Sequence, residues 1–248
     1  MSSIAPLLKV TELTKRFGGI NAVDGCSFDV IEGKVTGLIG PNGAGKTTVF
    51  NLISGLLRPD GGTVVFNGET LNGRKPHQIT KRGISRTFQL TRELKEMTVL
   101  ENMVVPSRTR GLLDLFKSSI LEKERQKAMD LLEFVGIIHL AAEKAKRLSF
   151  GQKKLLEFAS VLMTDPKLVL LDEPAGGVNP KLLDVIMGHI ETLNRKGVTF
   201  LIVEHNMDLV MSLCNPVVVM AHGKVLAQGP SEAVQNDARV LEAYLGGQ

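Results

Sequence analysis

Short apolar runs recur along the chain and alternate with longer segments of helical periodicity. An apolar run that is too short for a core helix is typical of a strand buried on both faces. Three segments fit this description: KVTGLIG (34–40), KLVLLDE (167–173) and GVTFLIVEH (197–205). The sequence therefore predicts at least these strands in the interior of the fold.

Further strands are expected near the two ends of the chain. Residues 7–31 predict two short strands with a turn at Phe17-Gly18-Gly19, the second strand being roughly CSFDVI. PDGGTVVFNG (59–68) predicts a turn, a strand and a second turn. PVVVMAHGKVLAQG (216–229) predicts a hairpin that turns at His222-Gly223.

Helical periodicity dominates residues 72–165. Within ILEKERQKAMDLLEFVGI, one helix face carries Leu121, Ala128, Leu131, Leu132 and Val135. Other helices are predicted for KTTVFNLISGLL, for about Pro180 to Arg195 and for the tail, where Ser231 is the expected N-cap. Strands separated by helices predict a mostly parallel sheet that binds ligands beyond the carboxyl ends of its strands. Because strands flank it on both sides, the helical block is expected to be an insertion.

Composition narrows the class of protein. The 248 residues suffice for one large domain or a domain with a subdomain, and 43% apolar with 23% charged residues is ordinary for a soluble protein. No apolar run reaches the length of a membrane helix and no signal peptide is evident, so a cytoplasmic location is expected. The net charge of +4 is only a weak hint of anionic partners. Cys26 and Cys214 are expected to be buried thiols, and a structural zinc site is not expected.

GPNGAGKTT (40–48) matches the phosphate-loop pattern, and it lies between a predicted strand and a predicted helix. Its glycines allow a tight turn whose N–H groups converge on phosphate oxygens, and the helix N-terminus favours negative charge. Lys46 is expected to reach the β- and γ-phosphates, and the Thr47 hydroxyl to bind Mg²⁺. The predicted nucleotide-binding residues of this loop are Gly40, Pro41, Asn42, Gly43, Ala44, Gly45, Lys46, Thr47 and Thr48.

Two adjacent acids, Asp172 and Glu173, end the apolar strand LVLLD. An acid at this position is the expected neighbour of a phosphate loop, where it holds Mg²⁺ through its water shell, and Asp172 fits that role. Glu173 points elsewhere and is expected to orient, or take a proton from, the water that attacks the γ-phosphate. These features alone leave GTPases, kinases and motor ATPases open.

LSFGQ (148–152) narrows the choice, because with it the sequence resembles the ATP-binding-cassette (ABC) family over nearly its whole length. The shared motifs occur in the family's order: the phosphate loop, Gln89 in RTFQ, LSFGQ, LVLLDEP and His205 in IVEH. The resemblance implies an α/β fold with a RecA-like phosphate-loop core, a mostly parallel sheet, an N-terminal antiparallel β subdomain and an inserted helical subdomain at about 90–165. The whole chain, 1–248, is then a single ATP-binding domain.

The resemblance also implies a head-to-tail dimer with two ATP molecules at its interface. Ser149, Gly151 and Gln152 are then expected to contact the nucleotide held by the opposite subunit. The residues themselves support an anion site here, because a helix is predicted to begin at a small hydroxyl residue and a glycine.

Three more residues acquire roles through the resemblance. Phe17 matches the aromatic residue that stacks on adenine. Gln89 matches the glutamine that contacts Mg²⁺ and the attacking water, and His205 matches the histidine that touches the γ-phosphate. The expected catalytic residues are therefore Glu173, His205 and Gln89, and the expected metal ligands are Thr47, Gln89 and Asp172, with ATP and Mg²⁺ as the bound groups.

Asn179 departs from the broad family, which commonly has Asp in this loop. Asn keeps the capacity for hydrogen bonds and loses the charge. The same residue is typical of cassettes from branched-chain amino-acid importers. KRFGGINAVDG, GISRTFQ, MTVLENM, VEHNMDLVM and LEAYLGG also resemble that subfamily.

The expected function is that of the ATP-hydrolysing subunit of an importer for branched-chain or related amino acids. A urea or amide importer, a lipopolysaccharide-type exporter, a non-transport cassette protein and a binding module without turnover remain alternatives. The expected partners are a second ATPase subunit, identical or paralogous, permease subunits reached through residues 89–103, and indirectly a substrate-binding protein; no nucleic acid is expected. The chain is expected on the inner face of the cell membrane, and the loop 104–119 is either a membrane-side contact or an ordinary surface loop.

Overall fold

The computed structural model describes residues 5–87, 93–107 and 122–245. Its strands are β1 (Leu8–Phe17), β2 (Ile20–Val30), β3 (Val35–Ile39), β4 (Gly61–Phe66), β5 (Glu69–Thr70), β6 (Ile84–Arg86), β7 (Leu168–Asp172), β8 (Thr199–Val203), β9 (Val217–Ala221) and β10 (Lys224–Gly229). Its α-helices are α1 (Lys46–Ile53), α2 (Pro76–Thr80), α3 (Val99–Val104), α4 (Glu122–Phe134), α5 (Phe150–Leu162), α6 (Pro180–Arg195), α7 (Met207–Leu213), α8 (Ser231–Gln235) and α9 (Ala238–Leu245). Short 3₁₀ turns occur at Val105–Ser107, Ile138–Leu140 and Ala145–Arg147.

The strands of the described residues form two sheets. An antiparallel sheet has the order β2-β1-β4-β5, and a six-stranded sheet has the order β10-β9-β3-β8-β7-β6. In the larger sheet every pairing is parallel except that of β9 with β10. The predicted α/β fold with a mostly parallel sheet and an antiparallel N-terminal sheet is confirmed.

Alternation of side chains along the central strands produces two cores. Leu170, Leu201 and Val203 face the core shared with α1 and the antiparallel sheet. Their neighbours Leu171 and Ile202 face the second core, together with residues of α5, α6 and α7. Every residue of β3, β7 and β8 is buried, which explains why these strands read as continuous apolar runs.

The described chain between β6 and β7 is mostly helical, yet these two strands are direct neighbours, with Ile84 opposite Leu168. Helix α4 carries the predicted amphipathic face: Ala128 and Leu132 are buried, Leu131 is half-buried, and Val135, directly after the helix, is buried as well; Leu121 lies outside the described residues. Helix α3 begins with a capping box in which Thr98 and Glu101 satisfy each other's backbone N–H groups.

Some local predictions were wrong. The three residues of β6 form a strand within a region predicted to be helical, because they add a parallel edge to β7. The sequence patterns did not predict α7. Ser231 is the first residue of α8 and Pro230 is its N-cap, so the expected hydroxyl cap is absent. Both cysteines are buried and unpaired, as predicted.

None of the α-helices in the described part of the chain is long and apolar enough to cross a membrane.

Candidate active site

The candidate site lies where the parallel strands of the larger sheet end. Strands β3, β8, β7 and β6 are neighbours in that order and run in the same direction. Their carboxyl ends therefore bring distant parts of the sequence to one edge of the sheet. The residues brought there are Gly40 after β3, His205 after β8, Asp172 at the end of β7 and Arg86 at the end of β6.

The loop between β3 and α1 has a backbone that only glycine can adopt at two positions. Gly40 has a φ of +151°, and a Cβ atom there would lie 2.1 Å from the Met220 carbonyl oxygen. Gly45 has a φ of +99°, and its Cβ atom would lie 2.3 Å from the Ala22 carbonyl oxygen. Larger residues would force the loop away from β9 and β2. The glycine spacing recognised in the sequence thus reflects close backbone packing.

Lys46 begins α1, and its ammonium group is held by the loop itself. Its Nζ atom donates to the carbonyl oxygens of Gly40 at 2.7 Å and Pro41 at 3.0 Å. Burial lowers the pKa of Lys46, whereas the negative charges of Glu173 and Asp172 act in the opposite direction. The lysine therefore shares one electrostatic environment with the two acids, although more than a hundred residues separate them in the chain.

The remaining loop residues differ in exposure. Ala44 is buried, and its N–H group donates to the Pro41 carbonyl oxygen at 3.2 Å. Asn42 and Gly43 are exposed at the tip. Thr47 is exposed and Thr48 half-buried in the first turn of α1. A helix N-terminus that follows an exposed, glycine-rich tip favours the binding of an anion.

Asp172 is nearly inaccessible, and a buried arginine compensates its charge. Its Oδ2 atom accepts a hydrogen bond from Arg86 Nη2 at 2.8 Å, and its backbone N–H group donates to Thr87 Oγ1 at 3.3 Å. Arg86 Nη1 also donates to Asn51 Oδ1 on α1 at 2.7 Å and to Oγ of Ser54, the C-cap of that helix, at 3.0 Å. Arg86 thus joins the acid strand to the helix of the phosphate loop.

The second carboxylate oxygen of Asp172 tests whether a Mg²⁺ ion fits here. Oδ1 is buried and has no hydrogen-bond partner among the described residues. A buried acceptor without a partner is costly unless a cation or a water molecule uses it. Mg²⁺ prefers oxygen ligands and keeps several water molecules, and the Thr47 hydroxyl is a second oxygen donor at the same edge. The donor set therefore fits Mg²⁺.

Glu173 has an unusual backbone conformation, with a φ of +49°. Its N–H group donates to the Val203 carbonyl oxygen at 2.9 Å, which extends the pairing of β7 with β8 by one residue. Its Oε1 atom lies 4.0 Å from Nδ1 of His205. About 27% of the Glu173 side chain and 63% of the His205 side chain are exposed. The two predicted catalytic side chains are therefore adjacent and face solvent.

Ser149 caps α5, as its position in the sequence predicted. Its Oγ atom accepts from the Gln152 N–H group at 3.3 Å, and Gln152 Oε1 accepts from the Ser149 N–H group at 2.8 Å. A Cβ atom on Gly151 would lie 2.6 Å from Leu182 Cδ2, and one on Gly177 would lie 3.1 Å from the Phe150 ring. The LSFGQ segment therefore packs against the loop and helix that follow Glu173.

Phe17 ends β1 and is 47% exposed, with Lys15 Nζ 5.6 Å from the centre of its ring. It pairs with Ile20 at the end of the β1–β2 hairpin. The hairpin lies close to the phosphate loop, because Ala22 in β2 is the residue that the missing Cβ of Gly45 would meet. An exposed aromatic ring beside the loop is compatible with base stacking.

Gln89 lies outside the described residues, as does most of the loop 104–119. A cavity of about 250 Å³ opens between β6, α3 and α5. Its apolar lining includes Leu94, Val105, Pro106, Leu156 and Val161. Leu94 and Val105 are 45% and 43% exposed, respectively, so this groove presents apolar surface to its surroundings.

Two charged residues of the site were missed in the sequence, namely Arg86 and Glu204. Both are buried. Each stands beside a recognised residue, Arg86 shortly before Gln89 and Glu204 directly before His205. For Glu204, a charged residue at the end of an apolar strand is the signal that could have identified it, since a buried charge requires partners. Arg86 gave no such signal, because its strand β6 is too short to show a pattern.

Comparison with known proteins gives two family matches. Residues 23–176 match the ABC transporter family, and residues 224–248 match the branched-chain amino acid ATP-binding cassette transporter family. The branched-chain amino acid transport protein BraF of Pseudomonas aeruginosa is 42% identical over 250 residues, which is 97% of this chain and 98% of the relative. A probable LivG of Archaeoglobus fulgidus is 41% identical over 98% of this chain and 96% of the relative.

Solved structures agree with these matches. The ADP conformation of MJ1267, an ATP-binding cassette of an ABC transporter, is 39% identical with a TM-score of 0.87, over 98% of this chain and 99% of that one. The dimeric structure of MJ0796, a bacterial ABC transporter cassette, is 26% identical with a TM-score of 0.79, over 90% of this chain and 98% of that one.

Proposed function

The chain belongs to the ABC transporter family of ATP-binding proteins, and from this premise we propose that it is the ATP-hydrolysing subunit of an importer for branched-chain or related amino acids. The observation that carries the proposal is the convergence of the phosphate loop, Asp172, Glu173 and His205 at one edge of the sheet. The amino-acid cargo is supported by the match of residues 224–248 and by relatives about 40% identical along their full length.

ATP binds along the loop between β3 and α1. Residues between Asn42 and Thr48 supply backbone N–H groups to the phosphates, and Lys46 exchanges its carbonyl partners for phosphate oxygens. The exchange costs little, since one set of charge-assisted hydrogen bonds replaces another. Phe17 stacks on the adenine ring from the neighbouring hairpin.

Thr47 and Asp172 would hold Mg²⁺, Asp172 through the water shell of the ion, with Gln89 as a further contact. The ion would neutralise charge that develops on the β- and γ-phosphates. Asp172 has its buried Oδ1 atom available for this role, since Oδ2 is already bound to Arg86. Arg86 thereby keeps the carboxylate in one orientation whether or not the ion is present.

Glu173 is the general base for hydrolysis. It orients a water molecule toward the γ-phosphate and accepts a proton from it, while His205 donates a hydrogen bond to the phosphate. Glu173 Oε1 and His205 Nδ1 are 4.0 Å apart, so the two side chains can act on the same γ-phosphate. Gln89 is the proposed further contact to the attacking water.

A second ATPase subunit completes each nucleotide site. Ser149, Gly151 and Gln152 lie at the N-terminus of α5, a helix of 13 residues, and approach the γ-phosphate bound by the opposite subunit. The dimeric cassette among the structural relatives supports this arrangement. The partner is either a second copy or a paralogue.

Membrane-spanning permease subunits dock in the apolar groove between β6, α3 and α5. An exposed groove with this lining fits an apolar helix from a partner, with Lys153 and Asn102 at its polar edge. The chain then lies on the inner face of the membrane, and a substrate-binding protein acts through the permease. In this view residues 1–248 form one ATP-binding domain, with a helical subdomain at about 90–165 that carries part of the groove.

The decisive experiment is purification of the complex through a tag on this chain, followed by reconstitution in liposomes. Leucine uptake that requires internal MgATP is the expected result, and Lys46→Ala abolishes it. Export of lipopolysaccharide, uptake of urea or an amide with no uptake of leucine, or ATP hydrolysis stimulated by nucleic acid in place of transport would contradict the proposed function.

A further inference from the structure

Glu204 has no exposed surface, and its carboxylate accepts three backbone hydrogen bonds. Oε1 accepts from the Ala175 N–H group at 2.7 Å. Oε2 accepts from the N–H groups of His205 at 3.0 Å and Asn206 at 3.1 Å. Both oxygens therefore act as acceptors toward the backbone.

The donors belong to two different loops of the site. Ala175 lies two residues after Glu173, in the loop that leaves β7. His205 and Asn206 lie in the loop that leaves β8. The backbone pairing of these strands ends just before, where the Glu173 N–H group reaches the Val203 carbonyl oxygen. Beyond that point the Glu204 side chain bridges the two loops.

A buried carboxylate without hydrogen-bond partners would destabilise the fold, so the Glu204 side chain needs these donors in place. Three N–H donors compensate the charge through charge-assisted hydrogen bonds. The carboxylate also affects a neighbouring thiol. Burial raises the pKa of the Cys214 thiol to about 12, and the negative charge of Glu204 contributes to that rise. A glutamine side chain could not accept all three hydrogen bonds, because only one of its two terminal atoms is an acceptor.

We propose that Glu204 is a positioning residue that fixes the loop after Glu173 against the loop of His205, so that the general base and the phosphate-contacting histidine keep one mutual geometry. The proposal rests on the proposed function for the roles of Glu173 and His205. The bridge itself does not depend on that function, because it is defined by the hydrogen bonds of Glu204 alone. Glu204 acts through its neighbours and does not touch the nucleotide.

Glu204→Gln tests the bridge, because glutamine has a single acceptor oxygen and a donor group. With the oxygen toward His205 and Asn206, the NH₂ group opposes the Ala175 N–H group, and that hydrogen bond is lost. Glu204→Ala removes all three. The matched control is Thr199→Val, at the first residue of the same strand, where the buried hydroxyl accepts from the Gly33 N–H group at 2.9 Å.

Amide hydrogen exchange of the full chain, followed by NMR, reads the bridge directly. Glu204→Gln is expected to accelerate exchange at Ala175 while His205 and Asn206 stay protected, and Glu204→Ala is expected to accelerate all three. Thr199→Val leaves these amides unchanged. Unchanged exchange at Ala175 in both Glu204 variants would overturn the proposal, whether or not the protein hydrolyses ATP.

Kinetics of the tagged complex test the consequence. Glu204→Gln is expected to lower kcat at least about tenfold with KM for ATP changed less than about twofold, since misplacement of a reacting group impairs chemistry more than binding. Thr199→Val keeps the wild-type kcat even if it lowers stability. Equal kcat in wild type and Glu204→Gln would overturn the positioning role. A wild-type complex without MgATP hydrolysis would instead contradict the proposed function and leave the exchange result to decide the bridge.

Discussion

Arg86 Nη2 donates to Asp172 Oδ2 at 2.8 Å, and the side chains are only 8% and 1% exposed, respectively. This buried ion pair explains how an apolar strand can end on an acid. The guanidinium group also donates hydrogen bonds to Asn51 of α1 and to the C-cap residue Ser54, and it lies over the Phe50 ring, 5.4 Å from its centre. The pair therefore links the acid strand, the edge strand β6 and the helix of the phosphate loop.

Arg86→Met is expected to lower the free energy of unfolding by about 3 kcal/mol or more, because it leaves Asp172 buried and uncompensated. Urea unfolding followed by circular dichroism measures the change. The control is Arg82→Met, which breaks the exposed pair of Arg82 with Glu69 and is expected to cost less than about 1 kcal/mol. Similar losses in both variants would mean that the Arg86 pair contributes no more than a surface ion pair.

Glu173→Gln is expected to lower ATP hydrolysis by at least about a hundredfold, since it removes the general base. The phosphate loop is intact in this variant, so a stable dimer should accumulate in the presence of ATP and Mg²⁺. The dimer contains either two copies of this chain or one copy and a paralogous subunit. Size-exclusion chromatography with light scattering detects that species.

Lys46→Ala supplies the comparison for the dimer. It removes the lysine that contacts the phosphates, so no ATP-dependent dimer is expected. If Glu173→Gln and Lys46→Ala elute alike in ATP, the head-to-tail sandwich is the wrong model for this chain. If Glu173→Gln hydrolyses ATP at the wild-type rate, Glu173 is not the base.

Asn179 caps α6, since its Oδ1 atom accepts from the Leu182 N–H group at 2.9 Å. Asn179→Ala is expected to cost about 1 kcal/mol of unfolding free energy. Asn179→Asp keeps the acceptor and adds a negative charge at a helix N-terminus, so stability should hold or rise by less than about 1 kcal/mol. Thermal and urea unfolding compare the two. An equal loss in both variants would show that the cap does not stabilise the helix.

His189 on α6 lies between Phe134 and Phe158, with ring centres 4.5 and 6.3 Å away, and burial lowers the pKa of its imidazole below the usual 6.5. The folded state therefore binds a proton less readily than the unfolded state. The contribution of His189 to the free energy of unfolding is therefore present above pH 6.5 and declines as the pH falls below that value. We expect the free energy of unfolding to drop between about pH 7.5 and about pH 5.5.

His189→Phe isolates this contribution, because phenylalanine keeps the ring contacts and does not titrate. The drop in unfolding free energy between the two pH values should be smaller in this variant than in the wild type. His77→Gln, at an exposed position in α2, should leave the drop unchanged. An identical pH dependence in wild type and His189→Phe would show that another group causes it.

The local pattern was enough to predict much of the fold and the site. β3, β7 and β8 were predicted because they are buried on both faces, and helix α6 was predicted with its observed bounds. The glycine spacing at 40–45 predicted a tight loop. The structure has that loop, and the positive φ values of Gly40 and Gly45 explain why glycine is needed there. β6 was missed because three residues are too few to show a period and acquire strand structure only through pairing with β7.

The sequence by itself determined which chemical groups stand at the ends of the strands, because each motif is a short local pattern whose backbone geometry depends on neighbouring residues. Only the tertiary structure decided how the buried charges are compensated. Arg86 meets Asp172 across 86 positions, and Glu204 meets Ala175 across 29. Such pairings depend on strand order, which places distant residues side by side in an interior where an unpaired charge is too costly to remain.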